Sequence, residues 1–345
     1  MAADPVLVLA WLVLAHLVAD FALQTDAMVA DKTALGRRRR WRGLLVHGIL
    51  VGFCLVPIPL AFGERGLWVA LTITVSHVLV DRWKVGATRR AEARALADAH
   101  RRHARRRDGD GAETGAGPGL GPAWTPIPAA LFVADQVAHV AISAAAWAVW
   151  LAGAAPLEWF ARGVDGVLGA FDRAVVHEAA LVGVVALALV IVNVRAGALL
   201  VATLVRPREA TEGLEIPDEP HVREPLPAGW RIRVGPLEAV AQPEAARGEG
   251  AAGGPGGKRG RRPDRASPAQ IGATIGVLER LLIVVLVLTG SEAAIGFVVA
   301  AKTLARFRQL DDRDFAEYYL LGTLASVAIA VASALVAGAA LRTIA

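Results

Sequence analysis

The sequence predicts an all-α, polytopic transmembrane helical bundle of about seven to eight membrane helices, and three observations carry that expectation. Of the 345 residues, 55% are hydrophobic and only 6% aromatic, with a mean hydropathy of +0.46, which is too apolar for an ordinary soluble domain. The apolar residues come in uninterrupted runs close to the roughly 20 residues a helix needs to cross hydrocarbon. Arg, Asp and Glu concentrate between those runs. Helices are expected rather than strands because a lone segment in lipid must satisfy its own backbone hydrogen bonds.

The runs fall at about 5–24, 43–62, 67–83, 129–152, 178–205, 271–289 and 315–340, with a shorter one at about 291–305. The first is read as a retained membrane helix. Its flank lacks a basic region, and it carries His16 and Asp20 where a signal peptide would end in small residues. Loop charges set the orientation. Lys32 with Arg37, Arg38, Arg39, Arg40 and Arg42, then Arg89 to Arg107, then Arg206, Arg208 and the Lys258 to Arg265 cluster belong in the cytoplasm. The turn near Glu64 and Arg65 and the connection at about 153–177 are poor in basic residues and suit the outer side. Placing Lys302, Arg306, Arg308 and Arg313 inside requires 291–305 to cross as well, which makes eight spans; otherwise there are seven.

The resulting organisation is a four-helix membrane core at 1–152, interrupted by a cytoplasmic insertion at about 86–127. An outer loop and fifth membrane helix follow at 153–206, a disordered cytoplasmic linker at 207–268, and C-terminal membrane helices at 269–345. The insertion opens with a helix-compatible Arg/Ala stretch and decays into Gly and Pro. Membrane lipids are the expected partners, with anionic headgroups at the Arg-rich loops worth about 1 kcal/mol per basic residue. Nucleic acid is not expected, because a net charge of +5 beside membrane spans is what topology alone produces. A single cysteine, Cys54, excludes an intramolecular disulfide and a zinc ribbon.

The residues that can carry chemistry are polar groups inside the apolar runs. His16 and Asp20 stand four apart, so they share a helix face about 6 Å apart along the axis. His77 and Asp81 repeat the spacing, and Asp135, Gln136 and His139 reverse it. Because the fourth helix runs opposite to the first and third, the reversed order places every Asp on the cytoplasmic side of its His. His47, in the second helix, reaches a similar depth. An Asp at a helix centre costs roughly 2.5 to 3.5 kcal/mol on insertion scales. Imidazole nitrogen and carboxylate oxygen form the ligand set of zinc or manganese, and a bundle interior is a common place for it.

The expected cofactor is therefore a divalent metal, zinc or manganese, held by His16, Asp20, His47, His77 and Asp81, with Asp135 or His139 as general base. The plainer reading is that each Asp accepts a hydrogen bond from the His one turn away and serves packing. Three pairs at matched depth, with His47 added, favour chemistry over packing. Glu279, Lys302 and Arg306 are candidate substrate contacts, and Arg280 is expected to pair with other buried polar groups. Gly48 with Gly52 and Gly272 with Gly276 predict close helix approach. His100 and His103 sit in an Arg-rich loop and are expected to be solvated.

The stretch from His16 to Gln24, then His47, Ser76 to Asp81, and Asp135 to His139, resembles the bacterial membrane family called domain of unknown function 3307 (DUF3307). Less specifically, the resemblance extends to Gly276 to Ile283 and Ala294 to Lys302. It implies a multi-pass protein of the bacterial cytoplasmic membrane. The same His/Asp pattern is similar to that of bacterial inner-membrane proteins described as predicted metal-dependent hydrolases. The expected activity is accordingly a metal-dependent hydrolase acting on a lipid or phosphoester from the cytoplasmic side. A transporter or proton/metal conduit using the same groups is the rival, and a structural or assembly protein the third possibility.

Overall fold

The structure, a computed structural model, describes residues 4–34, 36–108, 125–205, 231–234, 237–240 and 268–343. Helix α1 (Pro5–Leu17) starts where Asp4 accepts a hydrogen bond from the Val6 N–H, with proline at the first helical position. It continues through a π-helical turn at Val18–Ala22. A short helix, α2 (Asp26–Lys32), is capped by the Thr25 hydroxyl and followed by α3 (Arg37–Cys54) and α4 (Pro57–Asp108). Helices α5 (Ile127–Trp150), α6 (Glu158–Leu168) and α7 (Arg173–Ile191) come next; α7 passes through a second π-helical turn, Val192–Ala196, into α8 (Gly197–Leu204). The chain closes with α9 (Pro268–Leu288), α10 (Ala293–Ala305) and α11 (Arg313–Leu341).

Among the described residues, five helices are long and apolar enough to cross a membrane: Pro5–Ala22, Pro57–Ala99, Ile127–Trp150, Arg173–Leu204 and Phe315–Leu341. Helix α10 is apolar but only 13 residues long, and α3 spends its first turns on Arg37 to Arg40 and Arg42. Burial on α3 is inverted relative to a soluble helix: His47 is fully buried, whereas Ile49 and Phe53 are 73% and 70% exposed. Such a helix is stable only where its apolar face meets lipid. The chain is a helical membrane protein.

Packing gathers the N-terminal helices. Helix α4 lies against α3 and α5, and α1 lies against α5 and α7. Leu12, Ala15, Val51, Ile58, Val69 and Ala146 form one buried cluster, and Leu14, Leu17 and Phe21 form another with Val184 and Ile191. In the C-terminal part, Ile283, Val284 and Val287 of α9 pack on Ala330 and Ala334 of α11. Gly48 meets the expectation of close approach, since a Cβ there would come within 2.6 Å of the Val78 side chain on α4.

Three expectations need revision. The run at 43–62 is not one helix: the chain turns at Leu55 and Val56, and the break near Glu64 is a kink inside α4 at Gly63, where φ is +59°. The outer connection at 153–177 contains α6, which leaves Trp159, Val164 and Val167 exposed beside Glu158, Arg162 and Asp165; that amphipathic pattern suits a membrane interface. Within 207–268 a two-stranded antiparallel hairpin, β1 (Arg231–Val234) and β2 (Leu237–Val240), pairs Arg231 with Val240 and Val234 with Leu237. The rest of that linker before 268, and residues 109–124 of the insertion, lie outside the described residues.

Candidate metal centre

Four helical segments bring seven ligand-type side chains to one place: His16 on α1, Asp20 on its π-helical turn, His47 on α3, His77 and Asp81 on α4, Asp135 and His139 on α5. All are buried except Asp20, whose side chain is 9% exposed. The π turn matters locally. Its Leu23 N–H bonds back to the Val18 carbonyl, five residues earlier, and the wider turn changes the face on which Asp20 emerges. Asp20 thus leaves its helical neighbour His16 at 3.9 Å and reaches across to α3 and α4.

There its Oδ1 lies 3.0 Å from His47 Nε2 and 3.2 Å from His77 Nε2, and the two Nε2 atoms are 2.9 Å apart. Three atoms that can each offer a lone pair, depending on the tautomers of the two imidazoles, converge on one point. Ligands about 2.1 Å from a cation stand about 3.0 Å apart at right angles and about 3.4 Å apart in a tetrahedron. The observed triangle therefore fits a cation in size and in chemistry. Ring contacts hold the imidazole planes: His77 stacks on His139 at 4.0 Å, and His16 lies 4.8 Å from His139. The Nδ1 atoms of His16, His47 and His77 are buried without a hydrogen-bond partner, so ring packing replaces the outer acceptor that orients most metal-bound imidazoles.

Two lysines border the cluster, and the His/Asp spacing in the sequence points to neither. Lys32 donates to Asp81 Oδ2 at 2.5 Å and to Gln24 Oε1 at 2.9 Å, and Lys84 donates to Asp135 Oδ2 at 2.6 Å. The sequence places Lys32 among the cytoplasmic loop charges, and the structure buries it. The short helix α2 delivers it. Gly43 makes this possible, because a Cβ at that position would stand 2.6 Å from the Lys32 backbone nitrogen. Arg39 pairs with Asp31, Arg40 donates to the Ala34 carbonyl, and Arg89 donates to the Thr33 and Ala34 carbonyls, so three expected headgroup arginines also anchor α2. The only sequence signal is for Lys84, a basic residue one helical turn after Asp81; Lys32, more than three turns from the nearest His or Asp of the cluster, has none.

Gln136 settles a protonation question. Its Nε2 donates to Asp135 Oδ2 at 3.0 Å, so its Oε1 must accept from His16 Nε2, 3.1 Å away. A neutral His16 then presents an unprotonated Nδ1 toward Asp20.

Residues 8–163 match the model of a family described as a protein of unknown function, DUF3307. This segment belongs to the DUF3307 family. All seven His and Asp residues, both lysines, Gln24 and Gln136 fall inside it. The match ends before the resemblance expected around Gly276 to Lys302. Nothing among the curated proteins or the solved structures matches the chain.

The three candidate substrate contacts stand outside the DUF3307 segment. Lys302 pairs with Glu279 at 2.5 Å and lies over the Tyr319 ring, and Arg306 donates to Gln309. None of their hydrogen bonds or ion pairs among the described residues reaches the His/Asp cluster. Arg280 is buried, as expected of a paired group; it donates to the Asn193 carbonyl at 2.6 Å and to the Ser326 hydroxyl at 3.2 Å.

Proposed function

We propose that this protein is a membrane-embedded, metal-dependent hydrolase, resident in a bacterial cytoplasmic membrane and crossing it seven or eight times. The observation that carries the reading is the convergence of Asp20 Oδ1 with the Nε2 atoms of His47 and His77 at 2.9 to 3.2 Å. A zinc or manganese ion held there would lower the pKa of bound water and polarise a phosphoryl or acyl oxygen. His16, with its unprotonated Nδ1 beside Asp20, supplies a proton acceptor next to that point. Lys84 has a side chain that is one-quarter exposed while its partner Asp135 is fully buried, which gives an approaching anionic headgroup a first cationic contact. The Arg-rich starts of α3 and the cytoplasmic extension of α4 flank the same side, consistent with a lipid or phosphoester arriving from the inner leaflet.

The test is metal content followed by turnover. Chain purified without chelator is expected to hold stoichiometric zinc or manganese and to release phosphate from phospholipid or isoprenoid phosphates in mixed micelles. His77→Ala should abolish both. Absence of metal sinks the hydrolase. Metal retention with ion translocation into liposomes and no hydrolysis assigns the same groups to a conduit instead.

A further inference from the structure

We infer that the His/Asp cluster holds two divalent cations bridged by the Asp20 carboxylate, a pair suited to a phosphate group; this rests on the metal reading above. The second position is marked by two ligand atoms the first does not use. Asp135 Oδ1 and His139 Nε2 are 3.4 Å apart, both are buried, and neither has a hydrogen-bond partner. Leaving two such atoms unsatisfied costs about 1 to 3 kcal/mol each, and a cation held beside both would offset that cost. The separation matches adjacent ligands of one ion. The other oxygen of Asp135 is already engaged by Lys84 and Gln136, which aims Oδ1 away from them.

One ion cannot serve both positions. Asp20, His47 and His77 offer atoms that all lie within 4.8 Å of one another, as do Asp20, Asp135 and His139. Among the described residues no such set contains both His47 and Asp135. Asp20 is the shared member, and His16 joins His77 and His139 in a third set that links the two. The arrangement therefore reassigns Asp135 and His139 from general base to ligands.

Charge gives the ligand class. Three carboxylates face two ammonium groups, Lys32 on Asp81 and Lys84 on Asp135, and Asp20 has only imidazoles beside it. With neutral imidazoles the cluster carries one uncompensated negative charge. Two divalent cations reverse this to a surplus of three positive charges, which an oxyanion of high charge, a phosphate, offsets. Paired cations that bridge such an oxyanion stabilise both the attacking and the leaving oxygen of a displacement.

The experiment uses the full-length chain in nanodiscs, loaded with Mn²⁺ alone, freed of excess metal, and analysed for ions per chain and by electron paramagnetic resonance. Two ions per chain with an exchange-coupled signal are expected, falling to one uncoupled ion in His47→Ala and in His139→Ala. Asp20→Asn, and Asp20→Ala where it folds, should hold at most a trace. Inorganic phosphate should raise the thermal midpoint of the loaded protein and leave that of Asp20→Asn unmoved. A single ion lost in His47→Ala but kept in His139→Ala overturns the pair and leaves the hydrolase standing. No ion at all overturns both. Two ions without any phosphate effect overturn the assigned ligand class.

Discussion

Asp20 and Glu279 are both carboxylates carried into apolar helices, yet one ends 3.0 and 3.2 Å from two imidazoles and the other 2.5 Å from an ammonium. The contrast extends to their surroundings. Around Asp20, ligand-type atoms converge on a common point, and beside it Asp135 Oδ1 and His139 Nε2 have no hydrogen-bond partner. Around Glu279 the polar groups are absorbed by the chain itself: Lys302 takes the carboxylate, and Arg280 takes a backbone carbonyl and a hydroxyl. Polar burial in a membrane helix is thus not a site by itself. What distinguishes a candidate site is the convergence of ligand-type atoms on one point.

The two regions are nonetheless joined. Each π turn has a carbonyl that accepts a guanidinium: Arg195, on the second turn, donates to Phe21 of the first at 3.1 Å, and Arg280 donates to Asn193 of the second. The C-terminal helices therefore brace the turn that presents Asp20.

Substitutions can break or sharpen this comparison. Lys32→Met leaves Asp81 buried without its cation and should cost about 3 to 5 kcal/mol, read as a lower thermal midpoint, with most of the loss recovered in Lys32→Met/Asp81→Leu. The same cut in the other region, Lys302→Met, should cost only about 2 kcal/mol, because that pair is more exposed, and should leave metal content unchanged. A loss of metal in Lys302→Met would erase the distinction between the regions. Arg195→Gln should weaken metal affinity about tenfold, as loss of an orienting contact does, with a small change in melting; unchanged affinity would disconnect the two regions. Arg306→Ala should shift stability by less than about 0.5 kcal/mol, since among the described residues its guanidinium donates only to Gln309, at 3.4 Å.

Much of this was readable from the chain because it is periodic. A four-residue spacing fixes a shared helix face, and reversal of order with reversal of direction places His16, His77 and His139 at one depth without any knowledge of neighbours. Apolar run lengths likewise locate the five membrane-length helices found among the described residues, although the bend at Leu55 and Val56 and the helix α6 escaped them. Tertiary structure decided the rest, since it depends on partners far apart in sequence. Lys32 finds Asp81 across 49 residues only because Gly43 lets α2 lie on α3. Asp20 leaves His16 for His47 and His77 because one turn widens, and that turn is braced by Arg195, 174 residues away. Periodicity announces which faces are polar; only packing determines which polar atoms meet.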